Sequence, residues 1–202
     1  MSAASIDPRL SRLLRLAVAV AIGELEAIRA LRAEAPEGEP DRGWREVLLQ
    51  AHLFAGVPRV VQAFHVLHQA GGLGTLDPDE HPVSPDERAG RELFASIYGQ
   101  NTAAVRKRLE TYHPSLAAWI AQHAYGDTLV RPGLAARDRE LCAVASLAAT
   151  GPERQLVSHT RGALALGVSV SMLKALPTVL AGLWSDADRL RYGRVLKREL
   201  AG

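Results

Sequence analysis

The sequence predicts an all-α protein, and three observations support this. Apolar residues recur at helical spacing along most of the chain, and no long segment alternates with a period of two. Hydrophobic residues make up 48% of the chain and aromatic residues only 5%, so Leu, Val and Ala must fill most of the interior. Such side chains favour close helix packing over a sandwich core. Gly and Pro separate the helical segments, as expected of turns between helices.

The first 70 residues predict two long helices. The first is expected from Pro8 to about Arg32, with Asp7 as its N-cap. A loop follows at 33–43. The second helix contains "GVP" at 56–58, which should interrupt it, because proline has no backbone N–H to donate and crowds the preceding turn.

Residues 71–85 form the predicted linker, since they are rich in Pro and Gly and show no helical period. Beyond the linker we expect helices within 86–99, 101–113 and 114–126, a loop at 127–134, and helices over 135–150, 153–166, 170–180 and 186–200. The chain is therefore predicted to be a single all-α domain, 1–202, of two related halves, about 1–70 and 86–202.

An internal two-helix repeat is predicted from two similar stretches. "SRLLRLAVAVAIG" at 11–23 aligns with "RELCAVASLAATG" at 139–151, and each ends in Gly before a second helix. The first copy has Leu31 where the second has His159, so only the second copy offers an imidazole there.

Charge and patterning give no support for a nucleic-acid partner. The formal net charge is only +2. "RGALALGVSVSMLKAL" at 161–176 imitates a helix-turn-helix motif. Its second helix would present Val170, Ser171 and Lys174, which are too apolar and too weakly basic to bind DNA bases and phosphates.

Cys142 is the only cysteine, so the sequence excludes an intrachain disulfide and a CxxC pair, and a reducing cytoplasm is the expected location. No stretch approaches the roughly 20 apolar residues of a membrane span. The apolar run from Leu16 to Ile22 follows arginines, as in a signal peptide, but Glu24 comes directly after it. We interpret this segment as an amphipathic helix of the mature protein, with export as the alternative.

His65 and His68 are spaced so that one helix face could present both to a metal ion. No third ligand stands at a usable spacing, so no metal is expected.

Residues 124–169, "AYGDTLVRPGLAARDRELCAVASLAATGPERQLVSHTRGALALGVS", resemble carboxymuconolactone decarboxylases. Those proteins carry a similar Arg-Pro-Gly-Leu and Arg-x-Arg run, a Leu/Ala-rich helix and a His-x-Arg-x-Ala-Leu helix. Residues 46–64 are similar to the helix that normally follows, but here they come first. The resemblance implies an alkylhydroperoxidase D-like helical bundle, a duplicated or rearranged double-length member, and a homo-oligomer, dimer or trimer.

One branch of this family uses a Glu, a CxxC pair and a His. Glu140 and His159 keep the outer spacing of 19 positions, but Pro152 and Gln155 stand at the two cysteine positions. Peroxide reduction in that branch needs a thiolate and a resolving thiol, so alkylhydroperoxidase or disulfide reductase activity is not expected.

Each candidate residue allows a structural and a functional interpretation. His159 is either a core histidine bonded to a backbone carbonyl or a catalytic group, and Glu140 either helps the helix dipole or orients His159 and raises its pKa. Arg131 is a loop charge or the anchor of a substrate carboxylate. Gln155 could orient a ligand or the imidazole, and Tyr125 either packs or lines a cavity. The roles of Arg161 and His52 stay open.

The resemblance implies cofactor-independent decarboxylation, or related lactone chemistry, of a small carboxylated lactone. Loss of CO2 leaves a dienolate, so the protein must hold anionic groups, stabilise the lactone oxygen and deliver a proton. The implied roles are anchoring by Arg131, acid catalysis by His159 with Glu140, and oxygen stabilisation by Gln155 or Tyr125. The alternatives are a non-catalytic ligand-binding or assembly protein of the same fold and a lactone hydrolase.

Overall fold

A computed structural model describes residues 6–81 and 84–201. These residues form helices and turns with no β-strand among them, which confirms the predicted all-α class. The α-helices are α1 (Pro8–Ile22), α2 (Leu25–Ala33), α3 (Arg42–Ala55), α4 (Val57–Gln69), α5 (Glu87–Tyr98), α6 (Thr102–Tyr112), α7 (Pro114–Trp119), α8 (Ala136–Thr150), α9 (Glu153–Ala165), α10 (Val170–Val179) and α11 (Asp186–Ala201). Short 3-10 turns span Pro78–Glu80 and Gly99–Asn101, and a π-helical segment spans Ile120–Thr128.

The core surrounds α1 and α8, which pack against each other. Every residue of α8 from Arg139 to Ala148 is buried, so this helix is enclosed on all sides. It also contacts α3, α9 and α11. The buried charged side chains of this helix pair with its neighbours: Arg139 with Glu46 on α3, and Glu140 with His159 on α9. None of the helices described is both long and apolar enough to cross a membrane.

The segment predicted as the first helix forms two helices, α1 and α2, in the structure. The N-terminal boundary is confirmed: Asp7 Oδ1 accepts a hydrogen bond of 2.9 Å from the Leu10 backbone. The prediction that this helix continues to Arg32 is wrong. Gly23 adopts the left-handed conformation, with φ of 83°, and its N–H bonds back to α1, so the chain turns before α2 begins.

The predicted interruption of the second helix is confirmed. α3 ends at Ala55, Gly56 has φ of 80°, and α4 begins at Val57 with Pro58 in its first turn. Proline is tolerated there because the first N–H groups of a helix have no partner within it. The break lets α4 pack back against α3.

The segment before α8 differs from its prediction. Residues 114–126 were expected to form one regular helix and 127–134 a loop, but regular helix ends at Trp119 and a π-helical segment continues to Thr128. In a π-helix each N–H bonds to the carbonyl five residues earlier, and the Leu129 N–H bonds in this way to the Ala124 carbonyl at 2.8 Å. Such segments are rare and often lie at functional sites.

The predicted linker, 71–85, is anchored to the core over part of its length. The short turn at Pro78–Glu80 buries Glu80, whose carboxylate receives two hydrogen bonds from the Arg45 guanidinium on α3. Residues 82 and 83 of the linker lie outside the described residues. The described part of this segment connects α4 to α5.

Candidate functional site

The candidate site lies where α8 and α9 pack together. His159 Nδ1 donates a hydrogen bond of 2.9 Å to Glu140 Oε2. The Glu140 side chain is 2% exposed and the His159 side chain 13%. The structure therefore brings these two predicted residues into direct contact, and the carboxylate fixes the orientation of the imidazole.

The charge of Glu140 controls the protonation of His159. Burial alone lowers the pKa of His159, but the negative charge of Glu140 and the hydrogen bond to it act in the opposite direction and outweigh burial. The pKa of His159 is therefore raised above its ordinary value. A larger share of the imidazole is charged near neutral pH than in an isolated histidine.

The second nitrogen of the imidazole has no hydrogen-bond partner among the described residues. His159 Nε2 makes no hydrogen bond to any residue in 6–81 or 84–201. The Phe54 ring on α3 packs edge-on against the imidazole, with ring centroids 5.6 Å apart. The arrangement holds one nitrogen on a buried carboxylate and leaves the other to exchange a proton with a bound molecule.

Gly162, one turn after His159, is part of the same site. A methyl group at residue 162 would lie 2.8 Å from Glu140 Oε2 and 2.8 Å from Ile97 Cγ2 on α5. Only glycine allows the carboxylate to approach α9 this closely. Sequence analysis did not identify Gly162, although it stands inside the His-x-Arg-x-Ala-Leu motif.

Arg131 lies in a buried ion-pair network on the other side of α8. Glu46, fully buried on α3, accepts hydrogen bonds from Arg131 Nη2 at 3.0 Å and from Arg139 Nη2 at 2.8 Å. The Gln50 side chain donates to the Arg139 carbonyl at 2.7 Å. The structure thus does not leave the Arg131 guanidinium free, and a substrate carboxylate bound there would have to compete with Glu46.

Tyr125, in the π-helical segment, belongs to an aromatic cluster with Phe94 and Tyr98 of α5. Its hydroxyl donates to the Tyr98 hydroxyl at 3.3 Å, and its ring packs edge-on against Phe94. Burial, together with the nearby charge of Glu140, raises the pKa values of both tyrosines. Both therefore keep their protons near neutral pH, and their rings lie close enough to the site to be affected by Glu140.

Other residues singled out from the sequence lie outside the contact between Glu140 and His159. Gln155 is exposed on α9. Arg161 pairs with Glu199 of α11. His65 and His68 are exposed on α4, and His65 Nε2 lies 3.1 Å from the Gln69 amide nitrogen.

A cleft of about 490 Å³ opens between α5, α6, α7 and the π-helical segment. Phe94 and Tyr125 form part of its apolar lining, and Arg91 and Arg106 lie at it as well. It is lined by neither Glu140 nor His159, so it is separate from the candidate site.

Cys142 is a buried free thiol. Burial raises its pKa to about 12, so the thiolate that peroxide or disulfide chemistry requires does not form near neutral pH.

The all-α fold and the Glu140–His159 contact define a helical bundle of the alkylhydroperoxidase D-like type. The model of the carboxymuconolactone decarboxylase family matches residues 114–186, so this part of the chain is similar to that family. The match includes α8, α9 and the π-helical segment. No curated protein sequence matches the chain.

Proposed function

We propose that the chain is a cofactor-independent enzyme that decarboxylates, or otherwise transforms, a small carboxylated lactone, with His159 as its general acid. The contact between His159 and Glu140 carries this proposal. In the reaction, the bond to the leaving carboxylate breaks, CO2 departs, and the electron pair moves into the conjugated lactone carbonyl. A proton then has to reach the resulting dienolate.

His159 suits the delivery of that proton. Glu140 holds Nδ1 and favours the charged imidazole, while Nε2 is free to act as the donor. After transfer, the neutral imidazole is still oriented by the carboxylate, so the site can be reprotonated from solvent without rearrangement.

The developing negative charge on the lactone oxygen requires a hydrogen-bond donor. Tyr125 stays in the proposal for this role together with Tyr98, because their raised pKa values keep both hydroxyls protonated. Since Tyr125 donates to Tyr98, the Tyr98 proton is available to an acceptor on a ligand. Gln155 is exposed one turn before His159 and is the second candidate for this role.

Anchoring of the substrate carboxylate by Arg131 also stays in the proposal, with one condition. The substrate must replace Glu46 on the guanidinium, because Glu46 already holds it. Binding in this way would be coupled to an opening of the contact between α3 and the loop that carries Arg131.

The two-halves description and an oligomeric state are further parts of the proposal. α1 and α8 each span 15 residues and each end at a glycine with positive φ, Gly23 and Gly151, as expected if the chain derives from a repeated unit.

Large apolar side chains are exposed on α6 and α7, among them Tyr112 and Trp119, and would suit contact with a second copy. A reducing, cytoplasmic location is proposed from the single cysteine.

The test is an assay of CO2 release from a panel of carboxylated lactones. Wild-type protein is compared with His159→Ala and with His68→Ala, which removes an exposed helical histidine as a matched control. We expect turnover that His159→Ala abolishes and His68→Ala preserves, with both variants folded by circular dichroism. Turnover unaffected by His159→Ala would overturn the role of His159, and no turnover on any substrate would favour the non-catalytic binding or assembly protein. Ring opening without CO2 release would indicate a lactone hydrolase.

A further inference from the structure

Two histidines outside the candidate site face each other across a helix contact. His52 lies on α3 and His123 in the π-helical segment, and their Nε2 atoms are 2.6 Å apart. Their ring centroids are 4.7 Å apart. The two nitrogens belong to residues 71 positions apart in sequence, so this approach is created by the fold.

The other nitrogen of each ring has a partner that fixes its proton. His52 Nδ1 is hydrogen-bonded to the Leu49 backbone carbonyl, which can only accept, so Nδ1 carries the hydrogen. His123 Nδ1 lies 3.3 Å from Asp127 Oδ2, and this carboxylate favours a hydrogen on the same atom. In the neutral form of both rings, each Nε2 therefore presents a lone pair.

Two lone pairs cannot face each other at 2.6 Å without a positive charge between them. Imidazoles whose Nδ1–H groups are directed to a carbonyl and a carboxylate are the usual form of histidine as a metal ligand, because these partners set the tautomer and make Nε2 more basic. We propose that His52 and His123 form a binding site for a divalent transition-metal ion of the Zn²⁺ class, with Asp127 as an outer partner.

The geometry allows such an ion with a small movement. Zn–N bonds of about 2.0–2.1 Å in a tetrahedral arrangement place two ligand nitrogens about 3.3 Å apart, so the rings must separate by about 0.7 Å. The His123 side chain is 54% exposed and can shift without disturbing the core. No cluster of three or more His, Cys, Asp or Glu suited to a metal occurs within 6–81 and 84–201, so water completes the coordination.

This site is distinct from the Glu140–His159 pair. His52 and His123 join α3 to the π-helical segment, whereas His159 joins α9 to α8. A metal bound here would crosslink the segment that carries Tyr125 to the helix that carries Phe54. The proposal therefore does not depend on the chain being an enzyme.

The experiment uses the full chain, freed of metal with a chelator, and titrates it with Co²⁺ and then with Zn²⁺. Co²⁺ reports imidazole ligation through its visible absorption, and Zn²⁺ binding is measured by calorimetry. The variants are His52→Ala, His123→Ala and Asp127→Asn. The matched control is the double variant His65→Ala/His68→Ala, which removes two exposed helical histidines spaced so that they could bind a metal weakly.

We expect one ion per chain and at least about tenfold weaker binding in either single histidine variant. Asp127→Asn should weaken binding about tenfold, and the control should bind like wild type. Zn²⁺ should also raise the melting temperature of wild type and of the control, but not of His123→Ala, because the ion binds only the folded protein. Binding that survives in both single histidine variants, or that disappears in the control, would overturn the site. Absence of Zn²⁺ binding to the wild type would overturn it as well and would leave a shared proton as the charge between the rings.

Discussion

Gly162 gives Glu140 the space in which to reach His159. A methyl group at residue 162 would lie 2.8 Å from Glu140 Oε2, closer than any ordinary contact allows. The histidine lies one helical turn before this glycine, so the same stretch of α9 supplies both the imidazole and the gap for its carboxylate partner. The pair depends on close packing of α8 against α9 at this one position.

Gly162→Ala should therefore displace the Glu140 carboxylate or separate the helices. The expected cost is about 1–3 kcal/mol in the free energy of unfolding, as for other overpacked sites. The pKa of His159 should fall, because the charge that raises it moves away. Urea unfolding and NMR titration measure the two effects. An unchanged stability together with an unchanged His159 pKa would contradict the close contact.

The Glu46 carboxylate should be the most costly charged group to remove. It is fully buried between Arg131 and Arg139, so Glu46→Gln leaves two guanidinium groups without a counter-charge. We expect Glu46→Gln to lower the free energy of unfolding by about 3–5 kcal/mol, as measured by chemical denaturation. Glu92→Gln is the control, because Glu92 forms an exposed pair with Arg88 and its replacement should leave the free energy of unfolding nearly unchanged. Similar losses in both variants would show that the buried network is not formed.

Gly90 and Gly193 both lie within helices, but replacing each with alanine should change the stability of the fold in opposite directions. A methyl group at residue 90 would lie 2.8 Å from the Gly126 backbone in the π-helical segment, whereas residue 193 has open space around it. Gly90→Ala should destabilise the fold by about 1–3 kcal/mol. Gly193→Ala should stabilise it by about 0.5–1 kcal/mol, because alanine is the better helix former. Equal effects in thermal unfolding would contradict the close packing of α5 on the π-helical segment.

The sequence predicts the helices more completely than it predicts their contacts. Caps and breaks depend on neighbouring residues, so Asp7 and the "GVP" at 56–58 were identified correctly. The turn at Gly23 was missed within the predicted first helix, because the apolar pattern continues on both sides of it. The π-helical register of 120–128 depends on packing against α5 and has no periodic signal of its own.

The candidate site was only partly accessible to sequence reasoning. Glu140 and His159 were identified through a spacing that resembles a known family, and the fold then brings them into contact. From the sequence, Arg131 was either a loop charge or the anchor of a substrate carboxylate, and its partner Glu46 lies 85 positions earlier. Contacts at such separations leave no local pattern. The same holds for His52 and His123, whose approach requires the folding of two distant segments.

The stability contributed by the Glu140–His159 pair should depend on pH. Because the folded-state pKa of His159 is raised, the contribution is fully present below the unfolded-state pKa of about 6.5 and is lost as pH rises through the folded-state value. Glu140→Gln should therefore cost more stability near pH 6 than near pH 9. Urea unfolding at the two pH values tests this, with exposed Glu110→Gln as the control. An equal loss at both values would mean that the pair contributes no ionic stabilisation.

The most direct test of the account is an NMR titration of the His159 imidazole in the wild type and in Glu140→Gln. If Glu140 and His159 act together as a proton-holding pair, the pKa of His159 lies above its ordinary value in the wild type. In Glu140→Gln it should fall below that value, because burial is then unopposed. The same pKa in both proteins would show that Glu140 does not control the proton on His159, and the proposed general acid would lose its physical basis.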